Sequence, residues 1–233
     1  MLTTALSGGI IGLIFGFILQ RTRFCLTGGF RDMYIARNNT LFYAFLIAIT
    51  VESIGVLSLI KLGIIGNPYE EFSVLGAIVG SYLFGIGIVL AGGCATGTWY
   101  RAGEGLLGSG VALFFYMTSA AAMKSGFLVP LNQLIAKRWV INDDLAGQLG
   151  IPVWYFLVFL VAITSFVVIR ELRKPRRQIA SLPSKYKGVR HYLFEKTYHK
   201  YFAGLLIGLV AFIAWPASQL TGRVGGLGIT TPS

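Results

Sequence analysis

The sequence predicts an all-α integral membrane protein of about six transmembrane helices, with short re-entrant helices in two of the connections. Three observations carry that expectation. Of the 233 residues, 55% are hydrophobic and only 12% are charged, a balance that places the chain among membrane proteins. Several uninterrupted apolar stretches approach the roughly 20 residues a helix needs to cross the hydrocarbon core. One such run ends in Ala-Gly-Gly-Cys-Ala-Thr-Gly, positions 91–97, where each glycine costs a regular helix about 1 kcal/mol relative to alanine.

Taken in order, the first run, Leu2 to Leu19, lacks a positive leading region and a small-residue cleavage site. Its glycines are spaced for helix packing, so it reads as a retained span over 4–19 rather than a signal peptide. Further spans fall at 41–61, 73–91, 105–123, 152–169 and 201–216. Between the first two lies the segment Gln20 to Tyr34, which carries Cys25, and between the third and fourth lies the glycine-rich segment around Cys94. Each reads as a short re-entrant element. Non-helical backbone at membrane depth is tolerated only where protein buries it or where it lines a polar cavity. Gly92, Gly93, Cys94, Thr96 and Gly97 therefore mark a candidate substrate path.

The net charge of +11 is unevenly placed. From Arg170 to Lys200 ten Lys or Arg residues stand against Glu171 and Glu195, which predicts a cytoplasmic connection. Counting spans backward puts 20–40 on the same side, where Arg21, Arg23, Arg31 and Arg37 face a single Asp32. The N-terminus then lies outside. Orientation and contact with anionic lipid account for the basic balance, so no nucleic-acid partner is expected.

A shift of 196 residues lays Gly8, Gly12 and Phe17 on Gly204, Gly208 and Ile213, brings Gly28 and Gly29 near Gly225 and Gly226, and sets Cys25 on Thr221. The two copies cross the membrane in opposite directions, as the inverted repeats of transporters do. The chain thus divides into a first membrane repeat over 1–169 with two cysteine segments, a basic loop over 170–200, and the start of a second repeat over 201–233. No later Gly-Gly-Cys segment follows. The remainder of the second repeat is expected from a continued reading frame or from a second chain.

Other side chains have two readings each. Cys25 and Cys94 suit a redox or ligand role, or pack as small hydrophobes. Arg23, with Arg21, either sets topology or guides an anion. Glu52 is the one acid deep in an apolar span, where a charge costs at least roughly 2.5–3.5 kcal/mol; it either carries a coupling proton or receives hydrogen bonds from a neighbouring helix. Arg101 and Glu104 have the spacing of a helical i, i+3 pair. Trp99, Tyr100, Trp139, Trp154 and Trp215 sit near span ends as interfacial anchors. His191 and His199 lie in the basic loop away from cysteines and carboxylate clusters, so no metal site is expected.

The strings Arg-Phe-Cys-Leu-Thr-Gly-Gly-Phe-Arg-Asp (23–32), Gly-Gly-Cys-Ala-Thr-Gly-Thr-Trp-Tyr-Arg-Ala-Gly-Glu-Gly (92–105) and Gly-Gly-Leu-Gly-Ile-Thr-Thr-Pro-Ser (225–233) resemble the YeeE/YedE membrane proteins, the sulfur transport family. The resemblance runs from end to end. It implies an hourglass-shaped inverted-repeat architecture in a bacterial or archaeal inner membrane, with short helices meeting near the midplane. It also implies uptake of thiosulfate or a related sulfur anion, passed along cysteines by S–H···S contacts. Cys94 matches the family's first Gly-Gly-Cys cysteine and Cys25 that of the first re-entrant segment, while Gly225, Gly226 and Thr230 fall in the third string.

Thiosulfate is a dianion with a soft terminal sulfur, and conduction needs binding that is favourable yet weak enough to release. Thiols fit that need, and backbone N–H groups at a helix start add partial positive charge without a fixed ion. The leading expectation is a transporter or half-transporter, not an enzyme, and without a cofactor. Two alternatives stand beside it: a membrane thiol or persulfide-exchange protein, and a non-transporting scaffold that docks a soluble sulfur carrier on the 170–200 loop.

Overall fold

A bilayer admits helices because they satisfy their own backbone polar groups, and all six predicted spans are helical. The computed structural model describes residues 2–65, 72–136, 140–141, 152–173 and 199–219. In chain order its helices are α1 (Leu2–Thr22), α2 (Leu26–Tyr34), α3 (Thr40–Lys61), α4 (Val74–Leu90) and α5 (Ala95–Gly103). They are followed by α6 (Leu107–Ser125), α7 (Val129–Ala136), α8 (Val153–Leu172) and α9 (Lys200–Gln219). Two two-residue strands, β1 (Phe72–Ser73) and β2 (Val140–Ile141), pair antiparallel ahead of α4.

Five segments are long and apolar enough to cross a membrane: Gly8–Tyr34, Thr40–Lys61, Val74–Gly103, Val153–Leu172 and Lys200–Gln219. Two of them join a long helix to the short one that follows it. Helix α6 occupies the fourth predicted span, but Gly108, Ser109, Gly110, Thr118 and Ser119 dilute its apolar character. The chain is a multi-pass, all-α membrane protein.

The tightest packing is between α3 and α9, and glycine makes it so. A Cβ on Gly204 would collide with the carbonyl of Ala44, and one on Gly208 would lie 2.8 Å from the carbonyl oxygen of Ala48. Association in lipid depends on such close backbone approach, because lipid tails are as apolar as leucine and leave no hydrophobic drive between helices. The order of the contacts, Gly204 on Ala44 and then Gly208 on Ala48, makes the two helices parallel. That direction agrees with the parity of the predicted spans. Ile18, Leu19 and Phe24, at and just past the end of α1, complete this core.

Helix α8 lies antiparallel to α3: Lys61 sits over the Trp154 ring at 5.3 Å, and Thr50 and Thr164 share a buried hydroxyl hydrogen bond of 2.9 Å. Thr50 also donates to the Leu46 carbonyl, so it keeps a partner when Thr164 is lost. Thr164→Val is therefore expected to cost only about 0.6–1.7 kcal/mol, read as a small loss of thermal stability in detergent. A cost of several kcal/mol would mean that the pair anchors α8.

Candidate functional site

Two helix breaks of the same construction deliver the cysteines. At the end of α1 the chain turns through Arg23 at φ 48°, with Phe24 N–H donating to Leu19 O at 3.2 Å and Arg23 N–H to Gln20 O at 3.4 Å. At the end of α4 it turns through Gly92 at φ 67°, with Gly93 N–H donating to Ile88 O and Gly92 N–H to Val89 O, both at 3.1 Å. This paired bonding closes a helix on a left-handed residue. Two residues beyond each turn a cysteine in extended conformation begins a nine-residue helix, Cys25 for α2 and Cys94 for α5.

Displacement by 69 positions, the separation of the two cysteines, carries α2 onto α5 residue for residue and lays Cys25-Leu26-Thr27-Gly28 on Cys94-Ala95-Thr96-Gly97. The same shift relates α1 to α4 and α3 to α6. This repeat of helix, short helix and helix differs from the one read at a shift of 196. Of the glycines aligned by that longer shift, Gly204 and Gly208 press on α3, whereas Gly8 and Gly12 have nothing within 4 Å among the described residues.

The thiols meet. Cys25 Sγ and Cys94 Sγ are 3.4 Å apart, both free and both buried, at 3% and 7% exposure. Gly97 N–H donates to Cys94 Sγ at 3.4 Å. The backbone N–H groups of Thr27, Gly28 and Cys94 lie around the Cys25 sulfur, and that of Leu26 lies near the Cys94 sulfur. Each sulfur thus faces the start of the other's helix. Gly97 is required here, since a Cβ on it would stand 2.8 Å from Cys25 Sγ. Sulfurs at this distance are in van der Waals contact and leave no gap between them.

The remaining predicted residues are placed as follows. Gly93 is buried against Arg101, whose Nη1 donates to the Gly92 carbonyl at 2.6 Å. The expected Arg101–Glu104 pair does not form; Glu104 instead accepts from Gln20 Nε2 at 3.4 Å. The break frees the Gly92 carbonyl from helical bonding, and it captures the guanidinium that the exposed carboxylate does not need. Thr96 lines a cavity of about 550 Å3 between α1 and α5, together with Gly16, Leu19, Gln20, Trp99 and Tyr100. Arg23 is exposed, as the turn residue of the first break. Glu52 is half-buried on α3, about 16 Å along that helix from Leu41, which touches Gly28 and Gly29. Gly225, Gly226, Thr230, Trp139, His191 and most of the 170–200 loop lie outside the described residues.

Sequence reasoning passed over Thr27, whose buried hydroxyl oxygen has no hydrogen-bond partner among the described residues. By contrast Thr98, on the partner helix, donates to Cys94 O at 2.9 Å. The recurrence of Cys-x-Thr-Gly was the signal that pointed to Thr27. Trp99 and Tyr100, expected near a span end as interfacial anchors, also line the cavity.

Comparison with known proteins shows the family. The chain is 51% identical over 233 residues to the thiosulfate transporter TsuA of Escherichia coli, covering all of this chain and 66% of that protein. It is 32% identical over 237 residues to the thiosulfate transporter TsuA of Spirochaeta thermophila, covering 96% of this chain and 66% of that protein. A shorter match, 42% over 96 residues, joins 41% of the chain to 23% of the probable transporter YedE of E. coli. The chain thus spans 66% of the length of the two thiosulfate transporters it matches. Residues 21–233 match the sulphur transport family, and with that match the chain belongs to the YeeE/YedE sulphur transport proteins.

Proposed function

We propose that this chain forms the path, or part of the path, of a transporter for a small sulfur anion, with thiosulfate the favoured cargo. The observation that carries the proposal is the pair of opposed thiols, each at the start of a short helix that interrupts the membrane-spanning structure. Two thiols offer weak S–H donors to the terminal sulfur of thiosulfate, and the converging backbone N–H groups offer partial positive charge to the dianion. The Thr27 hydroxyl, two residues from Cys25 and without a hydrogen-bond partner among the described residues, is a further donor for a sulfonate oxygen. The Arg101 guanidinium donates to the Gly92 carbonyl, which engages that charge away from the ion. Weak, successive contacts of this kind suit conduction.

Because the sulfurs touch, passage requires α2 and α5 to part. We place the N-terminus outside, the 170–200 loop in the cytoplasm and the chain in an inner membrane, on the distribution of Lys and Arg. Gly225, Gly226 and Thr230 belong to the proposed path, which is completed by a further segment or a second chain. Arg23 and Glu52 are proposed to act at its approaches, in anion guidance and coupling.

The test is uptake of radiolabelled thiosulfate by cells lacking their own importers. Cys25→Ser and Cys94→Ser, at membrane levels equal to the parent chain, are each expected to lose at least about tenfold in rate, equivalent to about 1.4 kcal/mol. Full uptake by the double serine variant would sink the thiol path.

A further inference from the structure

Two free thiols in contact can do something that conduction does not require. We infer that Cys25 and Cys94 form an oxidant-operated gate, in which a polythionate, the S–S-linked dimer class of the proposed cargo, joins them in a disulfide that shuts the path. The word path rests on the transport reading; the reaction of the two thiols does not.

The geometry favours the bond. A disulfide has its sulfurs about 2.0 Å apart, so the pair at 3.4 Å needs to close by about 1.4 Å. Both cysteines precede the first turn of their helices in extended conformation, so neither helix unwinds for the side chain to turn. The missing Cβ of Gly97 leaves open the space beside Cys25 Sγ that a larger residue would fill. The link would close 69 positions of chain and fasten the start of α2 to the start of α5. Passage needs these two starts to separate, and a covalent link between them forbids it.

The chemistry balances without a further reactant. One thiol loses its proton, and the thiolate attacks the central S–S bond of tetrathionate. This forms a protein-S–S–SO3 adduct and expels one thiosulfate. The second thiolate attacks the protein sulfur of that adduct, forming the Cys25–Cys94 disulfide and expelling a second thiosulfate. Two thiols give up two protons and two electrons, and one tetrathionate becomes two thiosulfates. A dithiol reductant reverses the link by exchange. An anion with the same cross-section as thiosulfate reaches sulfurs that their burial hides from bulkier reagents.

The test treats the full chain in membranes with tetrathionate, unfolds it in denaturant with maleimide to block residual thiols, and maps peptides by mass without reduction. The expected product is a cross-linked peptide holding Cys25 and Cys94, lighter by two hydrogens than its two thiol parts and separated by dithiothreitol. Cys25→Ser and Cys94→Ser are each expected to stop at the single S–S–SO3 adduct on the remaining cysteine. Gly97→Ala keeps both thiols but wedges them apart, and is expected to cross-link at least about tenfold more slowly. In intact cells, uptake is expected to fall as the cross-link appears and to return on reduction. The gate is overturned if the parent chain keeps two free thiols or carries two separate adducts, or if uptake continues with the cross-link in place. A cross-link in a protein that moved no thiosulfate before oxidation, with the completing segment or second chain present, overturns the transport reading and the gate with it. That outcome is distinct from failure of the dithiol reaction, in which uptake is intact and the thiols stay apart.

Discussion

Gly204→Ala is expected to destabilise the protein by at least about 1–3 kcal/mol, the usual cost of overpacking a tight contact, whereas Gly8→Ala leaves it unharmed or slightly more stable. The two glycines occupy equivalent positions in the 196-residue alignment, yet their surroundings are opposite. A methyl group on Gly204 collides with the backbone carbonyl of Ala44, and backbone cannot turn aside as a side chain can, so α9 has to move off α3. The same methyl on Gly8 meets nothing within 4 Å, and alanine is favoured over glycine in a helix by about 1 kcal/mol. Thermal denaturation of the detergent-solubilised protein separates the cases. Equal melting temperatures for the two variants would show that α9 does not rest on α3 as described.

Arg101→Ala is expected to expose Cys94. The guanidinium holds the Gly92 carbonyl at 2.6 Å and so pins the turn that presents the thiol. A hydrogen bond to a charged group is worth about 1.5–3 kcal/mol. Its loss should raise the frequency of loop opening, and the maleimide labelling rate of Cys94 in a Cys25→Ser background, by about tenfold to a hundredfold. Arg101→Lys should restore protection only in part, since one compact ammonium replaces a fork of donors. Glu104→Gln should leave labelling unchanged, because Glu104 accepts from Gln20 and not from Arg101. Faster labelling in Glu104→Gln would return the i, i+3 pair to consideration.

That contrast shows where the sequence could be read and where it could not. Helical spacing proposed Glu104 for Arg101 because local geometry is all that spacing encodes. The competing acceptor, Gly92 O, lies nine positions back across a helix break, and its claim exists only once the break has removed its helical partner. The break itself was legible, since Gly92, Gly93 and Gly97 sit in an apolar run that needs no glycine. The first break was less so: its left-handed residue is Arg23, and nothing in an arginine announces a positive φ.

The repeat followed the same division. Glycines at helix-packing spacing point to a 196-residue shift, whose second copy lies in part outside the described residues. The more informative recurrence, Cys-x-Thr-Gly at 69 positions, was in plain view and was missed because hydropathy weights long apolar runs over four-residue strings.

By itself the sequence determined the membrane class, the six helical spans and the two short cysteine-bearing helices, because length, hydropathy and glycine content act locally along a chain that must satisfy its backbone before it meets a neighbour. Only the tertiary structure decided that Cys25 and Cys94 touch, that Gly97 makes room for them and that Gly204 rather than Gly8 bears a helix. Those facts depend on which surfaces come within a few ångströms after whole helices have packed, and no local preference records that distance.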